Sequence, residues 1–113
     1  MAPEVRIEHR YPEALAFLRR HGPEALAVVH DLLAQSQDHH GQLVVQTSVR
    51  QVAERLGLVS KDTVNRRMRA LLAAGVIRRQ LADHPTPFEA PTYVLDLSGT
   101  GISLSTPSES RSA

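Results

Sequence analysis

Between Ser48 and Arg79 the chain is punctuated so closely that little freedom remains for what it can fold into. The stretch reads SVRQVAERLGLVSKDTVNRRMRALLAAGVIRR. Ser48, followed three residues later by Gln51, has the form of a capping box: the serine hydroxyl accepts from the Gln51 amide, and the Gln51 side chain reaches back. A first helix is expected over 49–56, with Val52, Ala53 and Leu56 at helical spacing on one face. Gly57 stands where a left-handed residue closes a helix at little cost. Ser60 is the next N-cap and opens a second helix over 61–74. Val64, Met68, Leu71 and Leu72 fall within roughly a quarter of its circumference, so that face is expected to pack inward. Gly75 ends it. Two short helices joined by a tight turn lead into the start of a strand.

The outward face of the second helix carries the chemistry. At about 100° per residue, Asp62, Arg66, Arg69 and Ala73 lie opposite the apolar stripe. Lys61, Thr63, Asn65 and Arg67 sit near the start or on the flanks. A solvated helix usually mixes acids and bases, whereas this one sets Lys61, Arg66, Arg67 and Arg69 against Asp62 alone. Arginine and asparagine are also the side chains that read guanine and adenine edges bidentately.

These residues resemble a known family. Val52-Ala53-x-x-Leu56-Gly57, Ser60-Lys61-Asp62-Thr63-Val64-x-Arg66 and Leu71-Leu72-x-x-Gly75-Val76-Ile77 are similar to a winged helix-turn-helix DNA-binding domain of the broad MarR/GntR-like bacterial kind. The resemblance spans about 43–97. It implies a mainly α, α+β fold with a small antiparallel β wing. It also implies DNA contacts from Ser60, Lys61, Thr63, Asn65, Arg66, Arg67 and Arg69, with Arg50, Arg78 and Arg79 as further DNA-binding candidates. Arg78 and Arg79 point to opposite faces of a strand, so one is expected to reach phosphate at the wing base and the other to be solvated. One departure stands out: Leu58-Val59 before Ser60 is one residue longer than the commonest turn, which bears on the angle between the helices.

Charge distribution points the same way. The formal net charge of the 113 residues is only +1. Residues 50–79, however, hold eight Lys/Arg against two Asp/Glu, and the remainder holds five against ten. A basic segment on an otherwise acidic chain is the footprint of one DNA-facing surface. The absence of cysteine excludes disulfides, thiolate metal sites and cysteine nucleophiles. There is no apolar run of the roughly 20 residues that span a membrane, and no signal-peptide core at the start, so a cytoplasmic protein is expected.

The rest of the chain frames this unit. Residues 1–11 alternate Val5, Ile7, His9 and Tyr11 with charged residues, which fits a strand or a free arm. Pro12 opens a helix with Leu15, Phe17 and Leu18 apolar and Arg19-Arg20 at its end, where cations suit the dipole. Pro23 opens another, with Leu26, Val29, Leu32 and Leu33 as core candidates, running to about Ser36. Residues 37–41 read as a loop and 43–46 as a short strand. Residues 76–81 and 92–97 read as paired strands, joined by a connection stiffened by Pro85, Pro87 and Pro91, with an acidic tip at Asp83. From Ser98 the composition turns to Ser, Thr, Gly and Pro, and 98–113 reads as a disordered tail. The expected division is an arm over 1–11, one domain over 12–97, and that tail.

No glycine-rich phosphate loop, G-x-S-x-G or H-E-x-x-H motif is present, so no enzyme is expected. His39-His40 beside Asp38 does not by itself build a closed metal site, and no cofactor or small-molecule ligand is inferred. His30 reads as a partly buried structural histidine. The expected function is sequence-specific binding of double-stranded DNA by a homodimeric bacterial transcriptional regulator. The alternatives are an accessory DNA-binding protein of plasmid or phage replication, partition or conjugation, and a protein–protein adaptor whose basic helix meets an acidic partner.

Overall fold

The computed structural model describes residues 6–57, 59–80 and 90–105. Its elements run β1 (Arg6–His9), α1 (Glu13–His21), α2 (Pro23–Gln35), β2 (Gln37–His39), β3 (Gln42–Gln46), α3 (Val49–Leu56), α4 (Lys61–Ala73), β4 (Ile77–Gln80), β5 (Thr92–Leu95) and β6 (Ile102–Ser105). This is an α+β winged helix, with helices packed on one face of an antiparallel sheet of order β2-β3-β5-β4. A separate two-stranded ribbon, β1 with β6, joins the two ends of the described chain.

α2 is the hub. It packs against α1, α3, α4 and β3, and Ala25, Val28, Val29, Leu32 and Leu33 are buried along it. From the sheet, Leu43, Val45, Ile77, Tyr93 and Leu95 face the helices at period two. From α3 and α4 come Val52, Val64, Met68 and Leu71. Leu72 departs from the expected inward stripe and is 39% exposed. It lies at the margin of the stripe, about 80° from Val64 around the helix.

The caps form as their sequence signatures require. The Ser48 hydroxyl accepts from Gln51 N–H at 3.1 Å, and the Gln51 side-chain oxygen Oε1 accepts from Ser48 N–H at 3.0 Å. Gly57 takes φ 72° and Gly75 φ 78°, each beyond the end of its helix, where a side chain would be strained. Val59, in the lengthened turn, packs against the core.

Three expectations change. Residues 37–41 are not a plain loop: Gln37–His39 pairs with Gln42–Gln46 through a turn at His40 and Gly41, whose φ values are 55° and 83°. The N-terminal segment, left open between arm and strand, is a strand over 6–9. The tail read as disordered from Ser98 is ordered as far as Ser105. Thr100 and Ile102 are 2% and 3% exposed, and Leu104 and Ile7 pack on the same core. Ile102 and Leu104 alternate with serines at strand period, and the turn-rich residues around them mask that signal. The Thr100 hydroxyl donates to Leu97 O at 2.6 Å and accepts from Ile102 N–H at 3.1 Å, so its burial leaves no unpaired polar atom. The packed unit therefore extends past the expected 12–97 limits at both ends. The expected wing tip at Asp83 and His84 lies outside the described residues, as do 1–5 and 106–113.

Candidate nucleic-acid interface

The interface is built on α4. Ser60 has extended backbone (φ −71°, ψ 156°), and its hydroxyl accepts from Thr63 N–H at 3.2 Å, which caps the helix. The same hydroxyl donates to Thr63 Oγ1 at 2.9 Å. Asp62 in the first turn suits the positive end of the helix dipole. Val64, Met68 and Leu71 are buried to 0, 2 and 0% exposure, and this fixes the rotation of the helix about its axis. Asp62, Arg66, Arg69 and Ala73 consequently emerge on the opposite, exposed side, with Lys61 exposed in the first turn.

The basic side chains of α4 are not equivalent. Arg66 Nη2 makes one long hydrogen bond to Thr63 Oγ1 at 3.4 Å. Lys61, Arg66 and Arg69 have no ion-pair partner among the described residues. Arg67, by contrast, turns along the flank, where its Nη2 meets Glu24 Oε1 of α2 at 2.7 Å. Its Nε is buried with no hydrogen-bond partner. Arg67 thus bridges the flank of α4 to the first turn of α2. Glu24 lies 43 residues away in sequence, and no local pattern marks the pair. Thr63 and Asn65 are half-buried on the flanks, with Asn65 and Lys61 on the side away from Arg67.

Of the remaining candidates, Arg50 is exposed in the first turn of α3. Arg78 and Arg79 are exposed on β4 and point to opposite faces of the sheet. Arg79 shares the face of Ile77, toward the helical layer. Arg78 lies on the outer face near Asp96. The Asp96 carboxyl is held below the usual carboxylate range, chiefly by hydrogen bonds from the Ser98 hydroxyl and amide at 2.6 and 3.0 Å, with Arg78's charge contributing least. The structure thus groups Arg66 and Arg69 on one exposed face, sets Lys61 in the exposed first turn and Arg50 and Arg79 on neighbouring elements, and pairs Arg67 with Glu24 on the flank.

A second arginine in this region serves the scaffold. Arg55 on α3 forms a two-pronged pair with Asp31 of α2, whose side chain is 8% exposed. Among the histidines, His9 and His30 face each other at 2.9 Å between their Nε2 atoms, across β1 and α2. His39 and His40 meet edge to face on the β2–β3 hairpin. Among the described residues, no three His, Cys, Asp or Glu side chains converge as a metal-binding group, and no helix is long and apolar enough to cross a membrane.

No curated protein and no solved structure matches the chain. A family model described as winged helix-turn-helix DNA-binding matches residues 46–78, from the end of β3 through α3 and α4 into β4. Those residues hold both caps, the buried stripe and the exposed basic face, and across them the chain matches a winged helix-turn-helix DNA-binding domain.

Proposed function

We propose that this protein binds double-stranded DNA sequence-specifically, as a small bacterial transcriptional regulator acting as a homodimer, with α4 laid in the major groove. One observation carries the reading. The apolar stripe Val64, Met68, Leu71 of α4 is buried, and the face opposite it presents Arg66 and Arg69 with no ion-pair partner among the described residues. A helix about 10–12 Å across, side chains included, fits a groove about 12 Å wide.

In this reading the parts of the interface have separate tasks. Arg66 and Arg69, with Asn65 and Thr63 beside them, meet base edges and carry sequence preference. Lys61, Arg50 and Arg79 meet phosphates, which fix position and carry no sequence information. Arg67 and Glu24 set the position of α4 and stay out of the groove. Arg79 is a stronger phosphate candidate than Arg78, because it shares the face of Ile77, on the side of the helical layer that carries α4.

Selection of bound fragments from random duplex DNA tests the proposal. The expected result is an enriched motif with two-fold symmetry, its half-sites about one helical turn or a multiple of it apart. Recovery of fragments with no shared motif would overturn sequence-specific binding. A motif without symmetry would overturn the homodimer.

A further inference from the structure

α1 ends on two arginines that the interface described above does not use. Arg19 and Arg20 occupy its last turn, both exposed, with no ion-pair or hydrogen-bond partner among the described residues. The negative end of the helix dipole accounts for a cation there. It does not account for where this helix end lies.

Gly22 makes a sharp corner (φ 89°, ψ 166°), its N–H donating to Leu18 O at 2.8 Å, and α2 begins at the next residue. Glu24, in the first turn of α2, is the residue bonded to Arg67 of α4 at 2.7 Å. The Arg19–Glu24 corner is therefore fastened to the flank of α4, beside the edge that carries Arg66. Its charges do not cancel. Glu24 is matched by Arg67, and Glu13 stands at the far end of α1. The neighbouring His21 is kept below its ordinary pKa by burial and then by the charge of Arg20, so it adds no positive charge near neutral pH. Arg19 and Arg20 remain as an uncompensated pair.

A helix lying in the major groove nearly fills its width. Whatever borders the flank of that helix then stands over the ridge of phosphates that walls the groove. We propose that the α1–α2 corner is a second contact with the duplex, in which Arg19 and Arg20 bind phosphates beside the groove occupied by α4. The inference rests on α4 being the groove helix. It enlarges the footprint to an element outside the matched residues 46–78, and it adds affinity without sequence preference.

Titrations of the full chain against its selected duplex and a scrambled duplex, at a series of salt concentrations, provide the test. The Arg19→Ala/Arg20→Ala variant is expected to bind both duplexes more weakly by a similar factor. Its slope of log affinity against log salt should fall by about 1.8, since two phosphate contacts are lost. Its thermal melt should fall only slightly, because both side chains are exposed and only their attraction to the helix dipole is lost. Arg19→Lys/Arg20→Lys should retain the slope, because phosphate responds to charge. Unaltered affinity and slope in the alanine variant, while Arg66→Ala still weakens binding, would overturn the inference and leave the role of α4 standing. A loss confined to the selected duplex would also overturn it. If neither variant affected binding, α4 itself would not be the DNA-contacting helix.

Discussion

Arg55 grips Asp31 side-on, with Nε at 2.9 Å from Oδ1 and Nη2 at 2.8 Å from Oδ2, and this ties the last turn of α3 to α2. The same Nη2 donates to Thr47 Oγ1 at 2.9 Å, and the hydroxyl of this fully buried threonine donates to Gln51 Oε1 at 3.3 Å. Gln51 is half of the capping box that starts α3. One arginine thus links the two ends of α3 to the hub helix. Asp31→Ala should destabilise the fold by about 1.5–3 kcal/mol, the range for hydrogen bonds to charged groups. A denaturant-melt loss below about 0.5 kcal/mol would show that the network does not hold α3 in place.

The register of α4 makes a paired prediction. Leu71 is fully buried and Leu72, one residue on, is 39% exposed. Leu71→Ala should cost roughly 2–5 kcal/mol, as core truncations do. Leu72→Ala should cost less than about 1 kcal/mol. Equal losses would mean that α4 is rotated from the orientation that exposes Arg66 and Arg69.

The closing strand is part of the fold. Ile102 is 3% exposed, and Gly101 lies so close to α1 that an added Cβ would fall 2.7 Å from Arg10 O and 2.9 Å from Glu13 C, at φ +73°. Ile102→Ala should cost about 2–4 kcal/mol. Gly101→Ala should be at least as damaging, since backbone rather than a flexible side chain stands in the way. A chain ending at Leu97 that melted like the full chain would remove β6 from the stable unit.

Acid should loosen the junction between β1 and α2. The His9–His30 contact at 2.9 Å needs one protonated and one unprotonated Nε2, so it fails when both rings are charged. Burial, and then His9, lowers the His30 pKa below 6.5. A histidine depressed in the folded state favours folding while it is neutral. The unfolded chain takes up the proton first, so stability falls as pH drops below about 6.5 and continues to fall until the folded form is also protonated. Melts followed from about pH 7 to about pH 5.5 should show this loss, and it should be shallower in His30→Gln. An identical pH dependence in the variant would assign the effect elsewhere.

Local chemistry was the legible part of this chain. Ser48 with Gln51, Ser60, Gly57 and Gly75 act through hydrogen bonds and backbone angles within a few residues of themselves, and each appears where its signature places it. The stripe Val64, Met68, Leu71 is equally local. What could not be read is what joins distant segments. Arg67 looked like its basic neighbours on α4, and only folding brings Glu24 to it from 43 residues away. Arg55 and Asp31, 24 residues apart, are hidden in the same way. The β6 strand was obscured by composition, because two apolar residues among serines and glycines become core only when β1 supplies a partner.

The central claim is that α4 reads bases through Arg66 while Arg79 on the wing strand meets only backbone. Parallel salt titrations of Arg66→Ala and Arg79→Ala on the selected and scrambled duplexes test it most directly. Arg66→Ala is expected to lose roughly 1–3 kcal/mol on the selected duplex and to flatten the preference at one base position. Arg79→Ala is expected to weaken both duplexes alike and to lower the salt slope by about 0.9. An Arg66→Ala variant weakened equally on both duplexes, with its base preference intact, would contradict the claim.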